Sequence, residues 1–167
     1  MKKSIAVICF LSLLFLSACK GSEKGEITVA DAGYTCEALV DYGENFSLKI
    51  IVHAMGGGVF SLTVKEPQNI SGLTFSFNKD EMSLSHNSIS GRKNFPSGYG
   101  GFAEILNKIF LKITTSNLVI HKENGEYSYE GKTSYYPFRV VFNDEGFPLS
   151  ITVKSENLKA TFSNWEY

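Results

Sequence analysis

A mainly β fold of the α+β class, a strongly curved antiparallel sheet wrapped on one amphipathic helix, is predicted by three observations. From Tyr34 onward apolar and polar residues alternate with period two in segment after segment, the spacing of half-buried strands. One stretch departs from it: Phe102, Ile105, Leu106, Ile109, Phe110 and Ile113 recur at helical spacing and form a single apolar stripe. Nearly every strand is apolar on one face and polar on the other, as in an antiparallel sheet with one wet side.

The chain begins with Met1-Lys2-Lys3, an apolar run from Ile5 to Phe15, and the small residues of Leu16-Ser17-Ala18-Cys19. A charged head, an apolar core and a small-residue cut site are the three parts of a secretory signal peptide. The run is too short to span a bilayer, which takes about 20 apolar residues. Small residues directly before a cysteine resemble the lipobox of bacterial lipoproteins. That resemblance implies a diacylglyceryl group on the Cys19 thiol and cleavage just ahead of it. Residues 1–18 are then the leader, residues 19–33 a lipidated N-terminus and tether, and residues 34–167 a single domain. The expected location is exported and lipid-anchored, on the extracytoplasmic face of the cell membrane or on an outer membrane. An ordinary secretion signal, with Cys19 incidental, is the alternative. The segment after Cys19 is mostly polar, and a brief extended or helical piece near Ile27 to Ala30 stays open.

Tyr34, Cys36, Ala38, Val40 and Tyr42 define the first strand of the domain, and Gly43-Glu44-Asn45 turns it into a second with Phe46, Leu48, Ile50 and Val52 inward. Gly56-Gly57-Gly58 is read as a hairpin turn, because it lacks the Gly-Lys-Ser/Thr ending of a phosphate-binding loop and leads into a strand. Phe60, Leu62 and Val64 follow, and Pro67 ends that strand because it cannot donate to a ladder. Leu73, Phe75 and Phe77 make the next, Asn78-Lys79-Asp80 turns, and Met82 and Leu84 mark a short one. Residues 87–101 have no periodicity and are expected to be a loop of functional length, with Phe95 and Tyr99 its aromatic exceptions. After the helix come a strand at Leu118 to His121, the hairpin signal Asn124-Gly125 and a strand at Tyr127 to Lys132. A meander closes the chain: Phe138, Val140 and Phe142; Leu149, Ile151 and Val153; then Leu158, Ala160 and Phe162, running on to Trp165.

Eight or nine strands make a sheet roughly 40 Å across, whereas one helix covers about 10 Å. Curling the sheet closes part of that gap. Aromatic side chains, a loop, an apolar ligand or a partner protein must fill the remainder.

Two stretches carry a family resemblance. Phe60 to Leu84, with Val64, Pro67, Ile70, Gly72, Leu73 and Phe75, and Phe138 to Trp165, with Asp144, Gly146, Pro148, Leu149, Asn157, Phe162 and Trp165, resemble the outer-membrane lipoprotein carrier and sorting (LolA/LolB-like) fold. The resemblance implies a half-barrel whose apolar concave surface holds acyl chains. The chain is similar also to short lipoproteins of spore-forming bacteria with that fold, some of which support a cell-wall hydrolase. On the first reading the ligand lining is Leu62, Phe75, Phe77, Phe102, Leu106, Ile109, Phe110, Phe138, Val140 and Phe142, with Phe95 and Tyr99 on a lid. Each of these residues also suits a plain core. On the second reading the protein holds an exported cell-envelope enzyme at the membrane through an outer surface.

Other chemistries find little to stand on. The net charge of −1 falls further once the leader lysines are gone, and no basic patch of nucleic-acid type is visible, so nucleic acid is not an expected partner. With Cys9 in the leader and Cys19 lipidated, Cys36 is the one thiol left, and its place on an apolar strand face makes it core filler. His53, His86 and His121 lack the spacing of metal ligands on a helix, and no Gly-x-Ser-x-Gly elbow occurs. No catalytic residue, metal or cofactor is expected.

Overall fold

A computed structural model describes residues 23–25, 27–30, 33–79, 81–86, 89–92, 101–116, 118–123 and 125–167. Among these, twelve strands form one antiparallel sheet. In chain order they are β1 (Glu23–Gly25), β2 (Tyr34–Tyr42), β3 (Phe46–Gly56), β4 (Val59–Glu66), β5 (Thr74–Asn78), β6 (Glu81–His86) and β7 (Ile89–Arg92), then β8 (Ile120–Glu123), β9 (Glu126–Lys132), β10 (Pro137–Phe142), β11 (Pro148–Val153) and β12 (Leu158–Glu166). The helix α1 (Gly101–Thr115) separates the two sets.

The spatial order is β1-β8-β9-β10-β11-β12-β2-β3-β4-β5-β6-β7. The sheet is thus two meanders joined at a β12–β2 seam, where Ala160 lies opposite Val40 and Phe162 opposite Ala38. Short turns make each meander, as antiparallel neighbours allow. The connection from β7 to β8 passes from one side of the sheet to the other, and α1 lies on it.

The period-two pattern decides which face is buried. Cys36, Ala38 and Val40 on β2, Leu48, Ile50 and Val52 on β3, and Phe60, Leu62 and Val64 on β4 point to the same side and are 5% exposed or less. From the second meander Val140, Phe142, Ile151, Val153, Leu158, Ala160 and Phe162 do likewise. The helix lies against this face. Phe102 meets Phe75 of β5 at a ring distance of 5.5 Å, Phe110 meets Phe60 of β4 at 5.3 Å and Phe162 of β12 at 5.8 Å. On its other flank the Lys108 ammonium stands 4.5 Å from the ring of Tyr135, in the turn between β9 and β10. On a flat sheet that turn and β5 would be about 30 Å apart, and a helix is only about 10 Å wide. One helix touches both because the sheet curls around it and stays unclosed, a half-barrel.

Four sequence expectations need correction. Twelve strands replace eight or nine, since β1 and β7 are short edge pieces without the alternation of a half-buried strand and β8, between β1 and β9, is only four residues long. Strand β7 falls inside residues 87–101, expected to be loop throughout, and pairs with β6. The expected strand at Leu118 to His121 is shifted to Ile120–Glu123. Leu149, expected inward with Ile151 and Val153, is 39% exposed. The ladder shifts register there, with Val141 opposite Ser150 but Phe142 opposite Pro148, so Leu149 is the extra residue of a bulge and Pro148 takes the buried place.

The packed unit also starts before Tyr34. Strand β1 pairs with β8, and Ile27, Val29 and Ala30 pack on the core. The amide of Ala30 donates to the Gly146 carbonyl at 3.1 Å. The later part of the segment expected to be a tether is therefore part of the domain.

Candidate functional site

The candidate site is the concave face and the helix that crosses it. Phe102, Ala103, Ile105, Leu106, Asn107, Ile109, Phe110 and Ile113 of α1 are buried, a broad arc rather than a narrow seam. Glu104 in the first turn and Lys112 in the last complement the helix dipole. The Thr114 hydroxyl donates to the Phe110 carbonyl at 2.9 Å, which ties down the last turn. Asn107, 3% exposed, is the polar residue of the arc. Its amide nitrogen donates to the Lys79 carbonyl at 2.9 Å and fastens the helix to the turn between β5 and β6, while its Oδ1 has no partner.

The structure brings all ten expected lining residues to this region. Leu62, Phe77, Phe138, Val140 and Phe142 lie on the concave face, and Phe102, Leu106, Ile109 and Phe110 on the facing arc of α1; all nine are buried. Phe75 is partly buried. Phe60 and Phe77 stack at 4.9 Å and Tyr129 meets Phe138 edge-on at 5.8 Å, so aromatic rings fill much of the space. A cavity of about 20 Å³ beside Phe110, bounded by Tyr34, Ala54 and Phe60, has room for roughly one water. Phe95 and Tyr99, the expected lid, lie outside the described residues, as does Cys19.

Burial across the concave face is graded. Under the centre of the helix the inward residues of β2, β3 and β4 are closed off, whereas toward the flanks buried residues such as Phe77, Met82 and Ile120 alternate with partly exposed ones. Leu73 and Phe75 on one side, and Leu118, Tyr127 and Tyr129 on the other, are only partly buried while packing on the core. Leu84 of β6 is also partly buried. One helix covers the middle and leaves two apolar margins. The tyrosines and Leu84 were absent from the expected lining; their place in the alternation of β9 and β6 was the available signal.

An aromatic cluster packs at the end of the β12–β2 seam. Tyr34 meets Phe147 at 5.5 Å and Trp165 at 5.2 Å, and Phe147 meets Trp165 at 4.9 Å. Edge-to-face and tilted ring pairs of this kind stabilise beyond their area.

The reactive residues sit apart from one another. Cys36 is buried, and desolvation pushes its thiol up to about 12, far from a nucleophile's range. His53 Nδ1 shares a hydrogen bond with the Thr35 hydroxyl at 2.9 Å, and His86 Nε2 donates to the Ser71 carbonyl at 3.1 Å. Among the described residues no three His, Cys, Asp or Glu side chains gather as metal ligands, and no helix is long and apolar enough to cross a membrane. On the outer face Glu37 accepts hydrogen bonds from Asn164 at 2.7 Å and Lys49 at 3.2 Å, which hold its carboxyl below the ordinary range.

No protein-family model matches the sequence, and no curated protein matches it. Among solved structures the chain is similar to an uncharacterised conserved protein from Thermus thermophilus, at 7% identity and a TM-score of 0.48 over 81% of this chain and 78% of the other. It is similar also to a LolA superfamily protein from Nitrosomonas europaea, at 12% identity and a TM-score of 0.47 over 84% of this chain and 88% of that one.

Proposed function

We propose that the protein is a non-enzymatic, membrane-anchored bacterial lipoprotein, held by a diacylglyceryl group on Cys19, that binds a hydrophobic ligand of acyl-lipid type in its half-barrel. The observation that carries this reading is the graded burial of the concave face. Leu73, Phe75 and Leu84 on one margin, and Leu118, Tyr127 and Tyr129 on the other, are only partly buried, Phe75 even where it meets Phe102 of α1. Apolar clefts flanking a helix are where an acyl chain gains most from leaving water. The resemblance of residues 60–84 and 138–165 to the lipoprotein-carrier fold points the same way.

Native mass spectrometry of the full chain, extracted from its producing cells in gentle detergent, tests the reading. An adduct of acyl-lipid mass beyond the Cys19 modification, lost in Phe75→Asp protein that still folds, is expected. A mass that stays bare when lipids are offered would overturn it.

The filled centre of the core favours a second reading. With room for roughly one water beside Phe110, the concave face needs no ligand to be stable. The outer surfaces are then the working ones, and a cell-envelope enzyme that stays with the protein through the same extraction would identify it as a protein-partner lipoprotein.

A further inference from the structure

The exposed side of α1 carries a feature that the apolar site does not use. Lys108 and Lys112 lie one turn apart on the helix, and Lys132 at the end of β9 faces the same cleft of about 530 Å³. Ser134 adds a hydroxyl to its wall, the Thr115 and Thr133 hydroxyls there donate to the Leu111 and Tyr136 carbonyls, and Leu111 is its apolar contact. Like charges four residues apart weaken a helix rather than support it. Lys108 is paired with Glu104 and lies over the Tyr135 ring. Among the described residues no carboxylate ion-pairs with Lys112 or Lys132. The helix C-terminus offsets part of the Lys112 charge, and Lys132 has no such offset. In a chain of net charge −1 this is a concentrated positive cleft.

Its rim is ordered. Thr133 Oγ1 accepts from the Tyr136 amide at 3.0 Å and the Tyr135 amide at 3.3 Å, and the Thr133 amide donates to the Tyr136 carbonyl at 2.9 Å. That turn fixes the backbone that carries Lys132 and Ser134 along the wall of the cleft, and a ligand has only their side chains left to order. Ammonium groups with neighbouring hydroxyls are point-charge donors suited to phosphate oxygens.

We infer that this cleft seats a phosphate group, that of an anionic acyl lipid whose chains lie along the adjoining apolar margin. The lipid part rests on the proposed ligand-binding function; the phosphate part does not. The test is an amide NMR titration of the full chain in nonionic detergent with dihexanoyl phosphatidylglycerol, dihexanoyl phosphatidylcholine, inorganic phosphate and neutral monododecanoylglycerol. Phosphatidylglycerol is expected to shift Lys112 and residues 132–134 at concentrations at least tenfold below those at which phosphatidylcholine or inorganic phosphate does. Lys112→Gln/Lys132→Gln protein with an unchanged circular dichroism spectrum is expected to lose at least tenfold of that affinity. Inorganic phosphate acting as strongly as phosphatidylglycerol would overturn the lipid part and leave a free-ion seat. No shift at the cleft with any anion, or a double variant that binds as before, would overturn the whole inference. Monododecanoylglycerol reports on the apolar margins alone: if it shifts Tyr127 and Tyr129 while the cleft stays silent to every anion, the phosphate seat falls and the ligand-binding function stands, and if the cleft answers the anions while the margins stay silent to monododecanoylglycerol, the function falls and the seat stands.

Discussion

Gly146 sits where the turn between β10 and β11 touches the segment ahead of β2. Its φ is 87°, and a Cβ there would overlap the Thr28 carbonyl oxygen. The Asn143 side chain builds this turn, its Oδ1 accepting from the Phe147 amide at 2.8 Å and the Glu145 amide at 3.1 Å. Gly146→Ala combines left-handed strain with overpacking against backbone, and a loss of about 3 kcal/mol is expected, read as a lower denaturation midpoint with an unchanged slope. Cys36 offers a test of sign. Its thiol titrates near 9 when unfolded and is raised to about 12 by burial, so the folded state keeps a proton that the unfolded state releases. The group's contribution is complete below pH 9 and is lost as pH rises toward 12. By pH 10.5 the wild type should have lost about 2 kcal/mol relative to a Cys36→Ala reference followed over the same pH range. An identical pH dependence in both proteins would show that the thiol is not desolvated.

At the scale of elements, α1 is the piece on which the rest closes. Leu106 is fully buried at the middle of its arc, and Leu106→Ala should cost about 3 kcal/mol by removing contacts and leaving a void. Lys112→Ala on the exposed side should change stability by less than about 0.5 kcal/mol. Denaturant melts of the two variants give the comparison. The helix and the inner strands were legible because their whole burial is written in their period: Phe102 to Ile113 at helical spacing, Phe60, Leu62 and Val64 by alternation. Strands β1 and β7 were not, since an edge pairs through backbone and needs no apolar alternation. Leu149 was misplaced because a bulge changes parity without changing composition. The site divides likewise. Its ten expected residues are gathered by periodicity, whereas Tyr127 and Tyr129 become margins only because the helix stops short of them. Lys112 and Lys132 meet only in the folded chain.

For the molecule as a whole, an unclosed sheet of twelve strands has a firm middle and loose margins. Strands β2, β3, β4 and β12 bury their inward side chains almost completely beneath α1, while β1 and β7 pair on one side only. Local opening exposes little apolar surface at the edges and a great deal at the seam, so amide exchange should be slowest along β2, β3 and β12 and fastest in β1 and β7. The functional readings part company in how that gradient responds. An acyl ligand seated on the margins restrains β5, β6 and β9 directly, and monododecanoylglycerol should slow exchange there at least tenfold while leaving β2 and β3 unchanged. A partner on the outer face has no reason to touch Tyr127, Tyr129 or Phe75, and would instead protect whichever strand edge or outer row it covers. Hydrogen exchange followed by mass spectrometry, with and without the lipid, therefore asks the fold which of its two faces is in use. Slowing confined to the margins requires the half-barrel to act as a receptacle, and margins indifferent to lipid leave α1 as a permanent part of the core.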